Sequence, residues 1–454
     1  MKRILHTALL LAIFGMCQAQ DSIRISGQFL HNARFAKVVV KKFNVGSMDI
    51  AAVPIQKDGR FSIVAPKDIE AGVYRFQYSQ SGNECVDVIL NGIETNIHFE
   101  IDVEVEASKR FPVFTHSEEN KAYYTFKKEA EAKNVLIAYQ HQYLSGFPIK
   151  PEASYAAVLK AYNKNVEAYT KMRTQFIEKT PFFWAKQLAL YSNAFFSTPT
   201  EHWRLQQYAA HQNFWMGKPT HDERLLNSPL FTDAILDFVQ YYMNAEVDFT
   251  EEEKEVGFQR AIDTIVARFA GNERLHQFAI TYLQLGFKEI GNEKALQYLD
   301  EKYAPLLTKA AEDTALAKRL AAYERLGKGQ IAPNFKWATA LGDSMQLSDF
   351  KGNEVLLVFW SSDCPHCLEE LPLVQKWAET HTATIILAVN VDEDKNRHLL
   401  EASKYTGFFH LNDYKGIKGA ASQAYSIFAT PTFFRIDKEQ KIRQKYEKFS
   451  PDIE

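Results

Sequence analysis

Residues 354–370 read EVLLVFWSSDCPHCLEE, and this stretch decides the fold of the chain around it. Its first seven residues form a near-continuous apolar run, which is typical of a strand covered on both faces. A helical pattern follows from Cys364 to about residue 381. Cys364 and Cys367 therefore lie where a buried strand turns into a helix. There, backbone N–H groups and the positive end of the helix dipole face the sulfur of Cys364.

A cysteine in this position is a stabilised thiolate. In such motifs the thiol pKa falls from about 8.5 toward ~3.5–7.5. His366 can add a hydrogen bond or a positive charge, and Pro365, which has no N–H group, suits the first turn of a helix. The spacing therefore indicates a redox-active dithiol, in which Cys364 and Cys367 form a disulfide when oxidised.

Three alternative roles for the cysteine pair are less well supported. A structural disulfide that closes so short a loop would stabilise the fold by only roughly 2 kcal/mol. A zinc site needs two further ligands, and His381, His398 and His410 do not have metal-ligand spacing. As ordinary core residues, two cysteines would be badly placed at the polar start of a helix. The sequence predicts no metal site and no cofactor.

The chain beyond the dithiol continues in the same α/β order. A second buried strand, ATIILAVNV at 383–391, precedes a helical segment at 396–406 and a late strand, TPTFFRID, at 430–437. The polar linker RLGKGQ at 325–330 comes before this region. We therefore expect an α/β domain with a central sheet at residues 331–454.

Two different patterns precede that domain. Residues 20–113 contain short runs of β-formers separated by turns, which predicts an all-β domain with a sandwich architecture. The runs are IRISGQF, AKVVVKKF, GRFSIV, GVYRFQY, ECVDVIL and TNIHFEI. Residues 114–327 have long helical periods and predict an all-α region. Within it, TEEE at 250–253 has capping-box spacing.

The N-terminus predicts export. Lys2 and Arg3 precede the apolar run ALLLAIFGM, and small residues at Cys17 and Ala19 favour cleavage after Ala19, so that residues 1–19 are a signal peptide. A membrane anchor would need roughly 20 apolar residues, and the N-terminal apolar run is well short of that length. Lipidation of Cys17 is disfavoured because Met16 stands where that signal has a small residue.

Composition narrows the function further. The chain has 53 basic and 56 acidic residues and a net charge of −3, without long blocks of one sign, so nothing predicts a nucleic-acid partner. Cleavage at Ala19 would leave only Cys85, Cys364 and Cys367 of the four cysteines, too few for a disulfide-stapled scaffold. Cys85 opens a predicted strand, where it serves as a small buried hydrophobe or as a free thiol.

Residues 331–454 resemble the thioredoxin-fold domains of the TlpA/ResA type. The resemblance rests on IAPNF at 331–335, on LSDFKGNEVLLVFWSSDCPHCLEELP at 347–372, on AVNVDED at 388–394 and on IFATPTFFRID at 427–437. The β and helical parts resemble, more vaguely, poorly characterised regions found ahead of such domains in some bacterial envelope proteins.

This resemblance implies roles for individual residues. Cys364 would be the attacking nucleophile, assisted by His366, and Cys367 would resolve the mixed disulfide. Thr430–Pro431 matches the cis-proline of the family, which lies against the cysteines and offers backbone groups to a substrate. Pro365 would also contact the substrate.

A carboxylate is also implied beside Cys367. Thioredoxins proper have a buried aspartate where this chain has Val358, and the ResA-type alternative is a glutamate that corresponds to Glu370. Since residues three apart on a helix are neighbours, Glu370 can exchange a proton with Cys367, unless it is a solvated surface acid, as we expect Glu369 to be. The chain departs from the family at Asp363, where a neutral residue is usual, and at its C-terminus, where SPDIE stands in place of the start of a last helix.

The sequence therefore predicts an exported thiol-disulfide oxidoreductase of the periplasm or cell envelope. Its partners would be protein substrates with thiols or disulfides and a membrane-linked electron donor or acceptor. The TlpA-like background favours a reductase, whereas the Pro-His dipeptide is what DsbA-like oxidases carry. A partner-binding protein whose thioredoxin-like domain is regulatory or vestigial is the remaining alternative.

Overall fold

The structure of the protein is a computed structural model. It describes residues 22–31, 35–43, 47–79, 84–106, 109–146, 152–192, 196, 203–244, 247–308, 315–338, 344–362, 364–427, 430–446 and 448–449. The predicted signal peptide, Asp363 and the C-terminal SPDIE lie outside the described residues. No helix among the described residues is long and apolar enough to cross a membrane. The chain divides into two compact units, with a boundary near residue 311.

The first unit begins with two four-stranded β-sheets. Its strands are β1 (Ser22–Leu30), β2 (Lys37–Phe43), β3 (Ser47–Pro54), β4 (Arg60–Pro66), β5 (Gly72–Gln77), β6 (Cys85–Leu90), β7 (Asn96–Asp102) and β8 (Val113–Phe114). The strand orders are β4-β1-β7-β8 and β3-β2-β5-β6. Alternate side chains of both sheets share one apolar core, in which the rings of Phe76 and Phe99 meet edge to face with centroids 6.1 Å apart.

Helices make up the rest of the first unit. They are α1 (Glu118–Gly146), α2 (Glu152–Lys179), α3 (Phe183–Tyr191), α4 (Trp203–Gln212), α5 (Leu230–Gln240), α6 (Glu251–Phe269), α7 (Glu273–Glu289) and α8 (Glu293–Tyr303). The capping box predicted ahead of α6 is confirmed. The Thr250 hydroxyl accepts the Glu253 N–H at 3.1 Å, and the Glu253 carboxylate accepts the Thr250 N–H at 2.8 Å.

The first turns of α1 cover the open edge of β6. Asn120 is fully buried, and its side-chain amide pairs with the backbone of Ile89 in both directions. It accepts the N–H and donates to the carbonyl, each at 2.8 Å. The Tyr124 hydroxyl donates to the Asp87 carbonyl at 2.8 Å. These side chains satisfy backbone groups that an edge strand would otherwise leave unpaired.

The second unit contains the dithiol. Its elements are α9 (Ala315–Arg325), β9 (Lys336–Ala338), β10 (Ser344–Gln346), β11 (Glu354–Trp360), α10 (Pro365–Thr380), β12 (Thr384–Asn390), α11 (Lys395–Ala402), β13 (Phe409–Leu411), α12 (Ala420–Ala424), β14 (Thr432–Ile436) and β15 (Ile442–Tyr446). Five strands form a sheet in the order β13-β12-β11-β14-β15. The pairs β11–β12 and β12–β13 are parallel, whereas β14 runs antiparallel to β11 and to β15.

The central strand β11 is buried on both faces, as its apolar run predicts. Leu357 and Phe359 face one core, while Val358 and Trp360 face a second core that also contains Cys367. Because β14 is antiparallel to β11, its beginning lies beside the end of β11. The sheet therefore brings Thr430–Pro431, just ahead of β14, to the edge where the dithiol follows β11.

The predicted order of sheets, then helices, then an α/β domain is confirmed. Sequence analysis missed β3, β8, β9, β10, β13 and β15, which are short or poor in β-branched residues. The boundaries at 113/114 and 327/331 stay predictions.

Replacing Asn120 by Ala should loosen the edge of β6. The change leaves the N–H and the carbonyl of Ile89 buried without their partner, which costs about 1–3 kcal/mol. In hydrogen–deuterium exchange of the full chain, β6 amides should therefore exchange about tenfold faster or more, since ~1.4 kcal/mol corresponds to a factor of ten. Replacing the exposed neighbour Lys121 by Ala should leave β6 unchanged, and equal exchange in both variants would contradict this role.

Candidate active site

Cys364 caps the N-terminus of α10. Its backbone is extended, with φ −95° and ψ 109°, and its Sγ accepts the backbone N–H of Cys367 at 3.2 Å. Pro365 is the first residue of the helix. The predicted position of the dithiol, between a buried strand and a helix start, is confirmed, and a donor of the first helical turn points at the sulfur.

The two sulfurs have opposite environments, and both residues are free thiols here. A hydrogen bond from the Cys367 thiol is the main cause that lowers the pKa of Cys364, which falls to about 6 despite partial burial. The Cys367 backbone, the Thr430 side chain and the His366 charge lower it further. Cys367 is fully buried, and its burial raises its pKa far above the ordinary value. At neutral pH the accessible sulfur is therefore a thiolate and the inner one a thiol.

Thr430 and Pro431 lie against the dithiol. The peptide bond between them is cis, as the resemblance implies, and in its thiol form Cys364 Sγ donates a hydrogen bond to the Thr430 carbonyl at 3.2 Å. Pro431 is buried, whereas Thr430 is half-buried. A partly open backbone segment therefore lies beside the reactive sulfur, and its binding of substrate stays a prediction.

His366 contributes weakly to the thiolate. Its side chain is 78% exposed, and Nδ1 lies 3.5 Å from the Glu369 carboxylate, which offsets part of any positive charge. The His366 charge is the smallest of the causes named above for the low pKa of Cys364. Main-chain and thiol donors thus stabilise the sulfur more than this imidazole does.

Glu370 is not a solvated surface acid. It is 9% exposed, and its carboxylate accepts the Phe449 N–H at 2.8 Å. Glu369, one residue earlier, is 74% exposed at its side chain, as predicted. Val358 is fully buried in the core that holds Cys367, so that an apolar residue occupies the place of the thioredoxin aspartate. Glu370 is thus a buried carboxylate one helical turn from Cys367, and its proton transfer stays a prediction.

Other candidate residues have ordinary structural contacts. His381 stacks on Trp377 with centroids 4.0 Å apart, His410 contacts the Tyr405 carbonyl, and His398 contacts the Tyr414 hydroxyl. In the part of the chain that the structure describes, no three His, Cys, Asp or Glu side chains converge as metal ligands. Cys85 is half-buried at the start of β6, and burial raises the pKa of its thiol.

Sequence reasoning missed Asp392. This buried carboxylate follows β12 and binds Ser361 and Ser362, which directly precede the dithiol segment. A signal was present, because the stretch AVNVDED places polar Asn390 and Asp392 at the carboxyl end of an otherwise apolar strand. Functional side chains often lie at that end of a parallel strand.

The C-terminal part of the chain is similar in sequence to known proteins. Residues 328–445 match the AhpC/TSA family. The thiol-disulfide oxidoreductase ResA of Bacillus thuringiensis subsp. konkukian (strain 97-27) is 32% identical over 126 residues, which cover 27% of this chain and 70% of ResA. The thioredoxin-like protein YneN of Bacillus subtilis (strain 168) is 31% identical over 121 residues, which cover 26% of this chain and 69% of YneN.

A solved structure is also similar. The thioredoxin domain of a thiol-disulfide oxidoreductase from Bacteroides vulgatus is 26% identical, with a TM-score of 0.26, over 28% of this chain and 92% of that domain. The relatives confirm the resemblance of the C-terminal domain, but not that of the β and helical parts, and assign protein-disulfide exchange as the enzymatic activity. Through its C-terminal domain, the chain belongs to the ResA-type thiol-disulfide oxidoreductases of thioredoxin-like fold.

Proposed function

We propose that this chain is an exported enzyme that reduces disulfides of cell-envelope proteins through the CPHC dithiol of Cys364 and Cys367. The observation that carries the proposal is the unequal state of the two sulfurs. An accessible thiolate with a pKa of about 6 stands one turn from a buried thiol whose pKa is raised. The first can attack, while the second is protected until a disulfide is presented to it.

The reaction has two displacements. The Cys364 thiolate attacks one sulfur of a substrate disulfide, the substrate S–S bond breaks, and the other substrate sulfur leaves as a thiolate that takes a proton from water. Cys367 then gives its proton to Glu370, and its thiolate attacks Cys364 Sγ. The mixed disulfide breaks, the second substrate sulfur leaves as a thiolate that takes up the proton held by Glu370, and Cys364–Cys367 becomes a disulfide. Two electrons pass to the substrate, and a membrane-linked donor must return them.

The pKa of Cys364 favours the reductive direction. Thioredoxin has a thiol pKa of about 7 and the oxidant DsbA has one of about 3.5, so a value of about 6 lies nearer to thioredoxin. The exposed Glu369 beside His366 explains why a Pro-His dipeptide need not give a DsbA-like thiolate. A DsbA-like oxidase is the second candidate, because Pro365 and His366 do stand between the cysteines.

Substrate binding would use the backbone around the dithiol. Thr430 is half-buried next to Cys364, and we propose that its backbone pairs with a substrate strand, which would also contact Pro431 and Pro365. Main-chain hydrogen bonds of this kind bind extended peptides with little dependence on their side chains.

The remaining regions are assigned from sequence. Residues 1–19 would direct export to the periplasm or envelope. We divide the mature chain into a β-sandwich domain at 20–113, a helical domain at 114–327 and the thioredoxin-like domain at 331–454. If the first two hold a partner and the dithiol is regulatory or vestigial, the chain is a binding protein, which is the alternative that the next experiment tests.

Replacing Cys367 by Ser should trap substrates covalently. Attack by Cys364 is preserved, but the group that resolves the mixed disulfide is lost, so disulfide-linked complexes with envelope proteins should accumulate. They are detected by non-reducing electrophoresis after acid quenching, in a Cys85→Ser background that removes the third thiol. Cys364→Ser in the same background is the matched control and should trap nothing. Equal trapping by both variants would contradict the assigned roles, and trapping by neither would favour the binding protein.

Replacing Glu370 by Gln should slow turnover. The introduced amide can still accept the Phe449 N–H but cannot take a proton from Cys367, so insulin reduction should fall by about tenfold or more, toward the ~10²-fold that a lost general base costs. The deficit should shrink as the pH rises, because solvent hydroxide can then deprotonate the buried thiol, whose pKa is raised. Glu369→Gln is the control. Equal effects of the two changes at all pH values would indicate simple surface charge.

A further inference from the structure

Asp392 lies just past the end of β12 and is 8% exposed. Its carboxylate accepts the Ser361 hydroxyl at 2.5 Å and the Ser362 N–H at 3.0 and 3.2 Å, and it also accepts the Ser362 hydroxyl. Both serines belong to the short segment that joins β11 to α10. A single buried carboxylate therefore holds the segment on which the helix start is built.

The carboxylate is itself fixed in place. The Asn390 side chain donates to Asp392 Oδ2 at 2.9 Å and accepts the Asp392 N–H at 2.9 Å. Asn412, which follows β13, donates to Asn390 Oδ1 at 2.6 Å and to the Asp392 carbonyl at 3.0 Å. Residues at or just past the ends of the neighbouring parallel strands β12 and β13 thus hold the Asp392 carboxylate against the segment that follows β11.

The segment reaches both cysteines through its backbone. The Ser361 carbonyl accepts the Cys364 N–H at 3.2 Å, which sets the entry of Cys364 into the helix. A hydrogen bond from the Ser361 backbone also lowers the pKa of Cys367, against the larger effect of burial. Displacement of Ser361 would therefore change the environment of both sulfurs.

Charge alone does not explain a carboxylate here. A buried negative charge close to the dithiol would disfavour the Cys364 thiolate and act against its low pKa. His398 is a titratable group that Asp392 affects among the described residues. Burial lowers the pKa of this imidazole, and the charge of Asp392 raises it. Since three donor groups of Ser361 and Ser362 make four hydrogen-bond contacts with this carboxylate, we infer that its contribution is geometric.

We propose that Asp392 is a positioning residue of the dithiol, which acts through Ser361 and Ser362 to hold Cys364 in the helix-capping geometry that makes it reactive. This goes beyond the proposed function, because it concerns the state of the thiol and does not depend on the direction of electron flow. Asp392 itself need not touch the substrate.

The test is the pH dependence of iodoacetamide alkylation at Cys364, followed by mass spectrometry on the full-length reduced protein. Asp392→Asn retains size but replaces one acceptor oxygen by a donor. We expect its midpoint to rise by about one pH unit relative to the unaltered protein, which makes alkylation below the midpoint about tenfold slower. Asp394→Asn is the matched control. Asp394 caps α11 through the Asn396 and Arg397 N–H groups, and its replacement should leave the midpoint unchanged.

Serine variants keep the proposal testable even if Asp392→Asn does not fold. Ser361→Ala combined with Ser362→Ala should raise the midpoint in the same direction. Adding Asp392→Asn to that pair should raise it by less than Asp392→Asn does alone, because only the backbone N–H of residue 362 still donates to Asp392. A fall in the midpoint of Asp392→Asn would show that its charge dominates, and additive shifts would show that it acts by another route. Either result, or unchanged midpoints in all variants, would overturn the proposal. An ordinary midpoint of ~8.5 in the unaltered protein would instead refute the activated Cys364 thiolate on which the proposed function rests.

Discussion

The hydrogen bond from the Cys367 backbone N–H to Cys364 Sγ fixes the geometry on which the active site depends, although the Cys367 thiol lowers the pKa of Cys364 more. It exists because Cys364 is the capping residue of α10, so that its sulfur takes the place of the side-chain oxygen that usually accepts a free N–H of the first turn. The same arrangement brings the Cys367 thiol within hydrogen-bonding reach. The first turn of α10 thus supplies the hydrogen-bond donors that stabilise the thiolate of Cys364.

The surrounding fold makes the two sulfurs unequal. The core on one face of β11, which includes Val358 and Trp360, encloses Cys367 and keeps it protonated, while Cys364 stays accessible. The antiparallel β14 brings Thr430 to the accessible sulfur. Opposite pKa shifts of neighbouring groups are a frequent property of catalytic sites. Here the apolar core raises the pKa of Cys367, and the donors at the start of α10 lower that of Cys364.

The features that could be predicted from the sequence are those that depend on residues close together along the chain. The apolar run of β11 and the capping box at Thr250 need only local spacing, and both are confirmed. Strand β3 was missed because SMDIAAVP contains few β-branched residues, and its pairing with β2 comes from tertiary structure. The cis bond at Thr430–Pro431 came from resemblance and not from spacing.

The features that could not be predicted from the sequence depend on contacts between residues far apart along the chain. Helical spacing places Glu370 near Cys367, but its burial and its bond to Phe449, 79 residues later, arise from the folded chain. The role of Asp392 likewise depends on serines some 30 residues earlier, brought close by the pairing of β11 with β12. A pattern within one segment does not reveal which acid is buried or which donor it meets.

Alkylation of the unaltered reduced protein across a range of pH tests whether the fold makes Cys364 a thiolate and Cys367 a protected thiol. Each cysteine is then followed separately by mass spectrometry. We expect a half-maximal alkylation rate at Cys364 at a pH of about 6, a plateau through neutral pH, and no modification of Cys367 until the protein unfolds. A midpoint for Cys364 at the ~8.5 of an ordinary cysteine, or modification of Cys367 at a comparable rate, would contradict this expectation.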